Sequence, residues 1–301
     1  MRRVRVPAGL LVPAPMLVLG AVASVQSGAA IATKLFPVAG PAGTVLLRIG
    51  LSAVLLVAVA RPTLRGRTAS DLGWAVAFGC VLAAMNVTFY EALSRVHLGV
   101  AVTVEFIGPL TVAVVGSRRL LDMVWVVLAA LGVVLLSSGG GHVDRLGLLL
   151  ALLAGGFWAG YILLAQRVGA AFPGASGLTI ALVVGTIGLA PFGIWSARGA
   201  LLDPSVLWRG AAVAILSSAV PYSLELFALR RLRASVFGVL MSLEPAFAAL
   251  SGLVFLGQHL RAREWVAVGC VMGASIGATR RAAPEEQPIE PGATPTEVVA
   301  A

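Results

Sequence analysis

Met85-Asn86-Val87-Thr88-Phe89-Tyr90-Glu91-Ala92-Leu93-Ser94-Arg95, then Val100 through Gly116, then Arg118-Arg119, is the stretch whose reading decides the fold. It reads as the end of one membrane helix, a very short connection and a second membrane helix. Within the second helix stands Glu105-Phe106-Ile107-Gly108-Pro109. A carboxylate and a Gly-Pro pair are costly in lipid and are tolerated where a helix faces protein or a water-filled cavity.

The pattern returns 136 positions later. Arg95, Pro109 and Gly116 match Arg231, Pro245 and Gly252, with further matches at small and apolar positions. The second copy carries its carboxylate, Glu244, directly before the proline. Glu105 stands four residues before its own proline, so the two acids are offset by about one helical turn. Related halves with interrupted helices in corresponding places point to a transporter binding site.

Composition sets the class. The chain is 59% hydrophobic and 12% charged, with a mean hydropathy of +0.97. A soluble domain carries roughly a quarter charged residues, so these residues cannot make a water-facing surface. The net charge of +9 does not signal nucleic acid. The basic residues fall between apolar runs, as topology signals do. Cys80 and Cys270 both lie in apolar runs and read as small buried hydrophobes, with no metal-like spacing.

Windows of apolar residues long enough to cross a bilayer predict about ten transmembrane helices, in an all-α integral membrane protein. A cytoplasmic basic N-terminus (1–14) precedes a first five-helix repeat (15–138). A second five-helix repeat (146–279) and a disordered cytoplasmic tail (280–301) follow. The basic start resembles a signal peptide and is read as leading into a retained first helix, because the apolar run continues to about Ala32. Five crossings per half is an odd number, so the second half enters from the opposite side as an inverted repeat. With the N-terminus inside, Lys and Arg favour the cytoplasmic segments two to one, which predicts both termini cytoplasmic.

Arg48 is the one arginine well inside a span, about seven residues or ~10 Å of helix rise from its outer end. Glu105 lies at similar depth, and a pair between them is expected, either structural or as a binder of a zwitterion's two ends. Glu244 lies mid-span, where Pro245 disturbs the preceding turn, and reads either as the inward-side partner of the binding site or as part of a packing kink. Gln26, Asn86 and Tyr90 are expected as polar lining, with helix–helix hydrogen bonds as the plain alternative. Gly108, Pro109 and Pro245 are the expected helix irregularities. Glu225 reads as an interfacial charge near Arg230 and Arg231, and Glu91 as one beside Arg95. Gly269, Gly273 and Gly277 form a small-residue ridge suited to packing within the chain or between two copies, as in a homodimer.

Enzyme motifs are missing. No Asp-rich diphosphate site, His cluster or Walker lysine is present, so neither catalysis, a cofactor nor a metal is expected. A membrane-embedded enzyme or accessory subunit is the reading from a different class; it would change a labelled substrate chemically, whereas a carrier would not.

Two runs carry a family likeness. Val104-Glu105-Phe106-Ile107-Gly108-Pro109-Leu110 is one. The other runs from Val220-Pro221-Tyr222-Ser223-Leu224-Glu225 to Phe237-Gly238-Val239-Leu240-Met241-Ser242-Leu243-Glu244-Pro245-Ala246. With Ser24 to Ala30 and Arg48, they resemble bacterial threonine/homoserine exporters, of the EamA-type branch of the drug/metabolite transporter superfamily. The resemblance covers nearly the whole chain except the tail. It implies ten helices in the inner membrane, a central cavity lined by the first four helices of each half, and proton-driven efflux of small amino acids. A same-fold carrier for another metabolite or drug is the alternative, since fold does not fix substrate.

Overall fold

The structure is a computed structural model that describes residues 13–62, 66–115, 123–137, 144–172, 175–229, 231–232 and 234–282. The arginines at 2, 3, 5, 65, 118, 119, 230 and 233, and the acidic tail beyond 282, lie outside the described residues.

Every regular element among the described residues is helical. In chain order these are α1 (Ala14–Thr33), α2 (Phe36–Ala60), α3 (Ala69–Leu93), α4 (Leu98–Glu105), α5 (Ile107–Val115), α6 (Met123–Ser137) and α7 (Arg145–Ala171). After them come α8 (Ser176–Ala197), α9 (Pro204–Ala214), α10 (Val220–Leu229), α11 (Ala234–Met241), α12 (Glu244–Leu256) and α13 (Ala262–Ala282). A π-helical turn, Ile215–Ala219, joins α9 to α10.

Where the described residues cover them, the expected windows coincide with single helices or with consecutive helical pieces. Seven are long and apolar enough to cross a membrane; α6 is apolar but shorter. The outward faces are apolar too. Val127, Leu131, Leu149, Ile187, Phe192 and Trp208 are all exposed. Such a surface suits hydrocarbon as its solvent.

The helix ends explain themselves locally. Thr68 and Asp71 form a reciprocal capping box at the start of α3, and Asp144 accepts the Gly147 N–H at the start of α7. Glu91 and Arg95 make the expected end-of-helix pair, Oε2 to Nη1 at 2.8 Å. Within α2, Gly40 takes φ +66°, a conformation side chains disfavour, and a Cβ there would also overlap the Ser196 hydroxyl.

α3 lies against α7 and α8, α2 against α8 and α9, and α1 against α10 and α12. α4 packs on α12 and α7, α5 on α7, and α6 on α13. The glycine ridge of α13 is used within the chain: a Cβ on Gly277 would overlap the Trp125 ring of α6, and one on Gly273 would lie 3.7 Å from Leu128. Gly269 faces open space. Cys80 is exposed and Cys270 half-buried, so the expectation of burial fails for Cys80.

Candidate functional site: a polar cavity between two broken helices

The two irregular helices are broken in the same register. α4 ends at Glu105, Phe106 forms a turn, and α5 begins at Ile107; α11 ends at Met241, Ser242 and Leu243 turn, and α12 begins at Glu244. Leu98 and Ala234 begin the two first segments, 136 positions apart, and Phe106 and Ser242 have that same separation. The prolines account for this. Pro109 offers no N–H to the Glu105 carbonyl, and Pro245 none to that of Met241, so each break falls in the turn before its proline. Glu105 therefore ends one segment and Glu244 starts another, and both are more than nine-tenths buried.

Close packing holds the first break. A Cβ on Gly108 would overlap the Gly155 carbonyl oxygen, and one on Gly155 would come within 2.5 Å of the Glu105 carbonyl oxygen. The Phe106 ring meets Trp158 edge-on at 5.5 Å. Ser242 at the second break shares a 2.7 Å hydrogen bond with Ser275 of α13.

A cavity of about 270 Å³ lies between the breaks, near the lower end of small-molecule pockets (about 300–1,000 Å³). Gln26, Arg48, Asn86, Glu105 and Glu244 all line it. Tyr90, expected as a further lining residue, is instead fully buried behind Arg48. Arg48 Nη1 donates to its Oη at 3.3 Å, and the guanidinium carbon lies 5.7 Å from the ring centroid. Tyr90 thus orients Arg48. Asn86 uses its Nδ2 to bond the Leu82 carbonyl at 2.9 Å.

Sequence reasoning missed several lining residues. Glu225, read as an interfacial charge, lines the cavity, as do Ser217, Ser218, Trp158 and Tyr161. Ser217 and Ser218 sit on the π-helical turn, where Ser52 Oγ donates to Ser218 Oγ at 2.9 Å. Ser24 Oγ donates to the Leu216 carbonyl at 2.7 Å and pins that turn to α1. Adjacent serines mid-window were the available signal. Among the described residues no cluster of His, Cys, Asp or Glu could hold a metal.

An all-helical bundle with apolar outer faces, enclosing one arginine, three carboxylates and neutral hydrogen-bonding groups, is a multi-pass membrane transporter in its architecture. The sequence profile described as the EamA-like transporter family matches residues 145–280. The threonine/homoserine exporter RhtA of Escherichia coli K12 is 45% identical over 268 residues, covering 88% of this chain and 90% of the relative. Its namesake from Salmonella typhimurium LT2 is 45% identical over 270 residues, covering 88% and 91%. An uncharacterized transporter of Bacillus subtilis, YwfM, is 26% identical over 243 residues. One solved crystal structure, 17% identical, superposes with a TM-score of 0.60 over 90% of this chain and 98% of its own, a likeness of fold. The chain belongs to the EamA-like transporter family. It is a transporter and not an enzyme, and its bacterial relatives and apolar helices make it a multi-pass inner-membrane protein.

Proposed function

We propose that the chain is a secondary active exporter of threonine- and homoserine-like amino acids, working by alternating access and coupled to protons. The observation that carries this reading is the cavity itself, in which Arg48 shares a small enclosure with Glu105, Glu225 and Glu244 between two broken helices. The names of the 45%-identical relatives supply the substrate class.

A small amino acid brings one carboxylate and one ammonium. Arg48, fixed by Tyr90, presents planar donors for the carboxylate. An acid at one of the two breaks, Glu105 or Glu244, faces the ammonium. Charges within a bilayer are costly unless something offsets them. With three acids to one arginine, a proton on one acid and a substrate ammonium on another are interchangeable offsets. Exchange of the two is antiport.

Packing supports ten crossings in two inverted halves, 15–138 and 146–279. Taking α4 with α5, α9 with α10, and α11 with α12 as single crossings, exchange of the halves turns the α3·α7 contact into that of α10 with α1. It turns α3·α8 into α9·α2, and α1·α12 into α7·α4. The α2·α8, α4·α12 and α6·α13 contacts map onto themselves. Two halves related in this way can rock about the cavity and open it to either side. The arginine bias supports cytoplasmic termini.

The test is uptake of labelled threonine and homoserine by proteoliposomes, with and without an imposed pH gradient, for wild type and Glu105→Gln. Gradient-driven flux that the variant loses by about 100-fold or more is expected, since the exchangeable proton is gone (roughly 3 kcal/mol at 1.4 kcal/mol per decade). Flux of neither amino acid by folded wild type would remove the substrate assignment. Flux indifferent to the gradient would remove the proton coupling.

A further inference from the structure

Gly155, Trp158 and Tyr161 are spaced by three along α7, so each neighbouring pair shares a face of the helix. That side of α7 meets the first helix break. A Cβ on Gly155 would come within 2.5 Å of the Glu105 carbonyl oxygen, so here the two helices pack backbone on backbone. One turn along, the Trp158 ring stands edge-on to Phe106, the residue of the break itself, at 5.5 Å. Phe106 is only 4% exposed, so the ring that holds Trp158 is itself fixed in the packed interior. A further turn along, the Tyr161 ring lies 5.0 Å from that of Phe78 in α3. Trp158 is half-buried, and it lines the cavity together with Glu105. Met85 and Met241 line the cavity too, but unbranched thioether side chains repack readily around a ligand. Trp158 lacks that freedom, because its ring is set by Phe106 and its helix by the contact at Gly155.

We infer that Trp158 sets the upper size limit of the transported amino acid, admitting side chains as small as that of threonine and excluding aromatic ones. The inference rests on the amino-acid reading above. In that reading Arg48 and the carboxylates take the two charged groups that every amino acid carries, and so cannot discriminate among side chains by size. A rigid wall can. The cavity holds about 270 Å³, and a large side chain enters only by displacing whatever bounds it. Close-packed walls resist such displacement, as overpacked protein cores do. The bulkiest side chain at the cavity, held from behind by an aromatic contact, is the boundary that yields least.

The experiment measures threonine and phenylalanine transport, as kcat/KM, in the same proteoliposome preparations of wild type, Trp158→Phe and Trp158→Ala. Wild type is expected to favour threonine by about 100-fold or more. Trp158→Ala is expected to raise phenylalanine transport in absolute terms, by about tenfold or more, with Trp158→Phe between the two. A gain of this kind separates a size limit from a merely structural role, since a loosened or partly unfolded protein loses transport of both amino acids. Wild type that carries phenylalanine as well as threonine would overturn the inference. So would two variants that still carry threonine but gain no phenylalanine transport, and either result leaves the exporter reading intact. Absence of threonine and homoserine flux in folded wild type would instead overturn the exporter reading, and the size limit with it.

Discussion

Arg48 shows how one residue's cost in a membrane becomes legible. An arginine inside an apolar window has to have a partner or water, so Arg48 stood out from sequence alone, as did Glu105 and Glu244. What sequence could not give was the partner's role. Tyr90 looked like lining; it is buried behind Arg48, with its own ring against Phe36 at 5.6 Å. Tyr90→Phe keeps that ring and removes one hydroxyl. The threonine KM is expected to rise by up to about tenfold, the worth of a single hydrogen bond (about 0.5–1.5 kcal/mol), with the thermal midpoint nearly unmoved. Arg48→Lys keeps the charge but loses the planar fork and its stacking. A loss of about 10- to 100-fold in kcat/KM is expected, in line with a charged hydrogen bond (about 1.5–3 kcal/mol). Transport titrations on the two variants check both, and an Arg48→Lys protein equal to wild type would remove Arg48 from the site. Glu225 was misread for a physical reason. Its position near basic residues was plain, but its direction depends on the π-helical turn, Ile215–Ala219, six residues upstream. No side-chain pattern announces an added residue in a helical turn.

At the scale of elements, the breaks were legible as prolines and glycines, though each falls a few residues earlier than its proline because the missing N–H acts on the preceding turn. The partner of Gly108 was not legible, since Gly155 is distant in sequence and belongs to a helix with no other distinguishing mark. The contrast with its neighbour gives a sharp test. Gly108→Ala forces a methyl group into the Gly155 backbone, whereas a Cβ on Gly156 meets nothing within 4 Å. The first change is expected to cost about 1–3 kcal/mol as overpacking, a fall of several degrees in detergent-solubilised thermal midpoint. Gly156→Ala is expected to stay within about 0.5 kcal/mol of wild type. Equal stabilities would mean that α5 and α7 do not pack as closely as described. The π-helical turn gives a second test. Deleting Ile215 would regularise the helix and rotate everything after it by about 100°. Glu225 would then turn away from the cavity. Threonine transport is expected to vanish while circular dichroism retains the helical signal.

At the scale of the whole molecule, the repeat was visible because two rare features, an arginine and a proline, recurred at one spacing, and the breaks at Phe106 and Ser242 keep that spacing. How the halves meet was not visible, because it depends on contacts between residues far apart in the chain. One of these contacts bears on motion. The N–H of Leu98, at the unsatisfied start of α4, donates at 2.9 Å to Gln258 Oε1, just beyond the end of α12. The bond ties the proposed halves at one end of the molecule, beside a charged mouth lined by Arg95, His97, His259 and Arg261. Val100 lines this mouth yet is only 5% exposed. If the halves rock, opening this end must break the Leu98–Gln258 bond and uncover Val100. Gln258→Leu removes the tie, worth about 0.5–1.5 kcal/mol, so the open population should rise by up to about tenfold. The measurement is the labelling rate of Val100→Cys by a membrane-impermeant thiol reagent, with Cys80 and Cys270 replaced because Cys80 is itself exposed. A faster rate with Gln258→Leu, and a rate that saturating threonine alters in the otherwise native chain, are the outcomes of a carrier with two access states. A rate indifferent to both would mean a fixed vestibule, and alternating access would fail for this end of the protein.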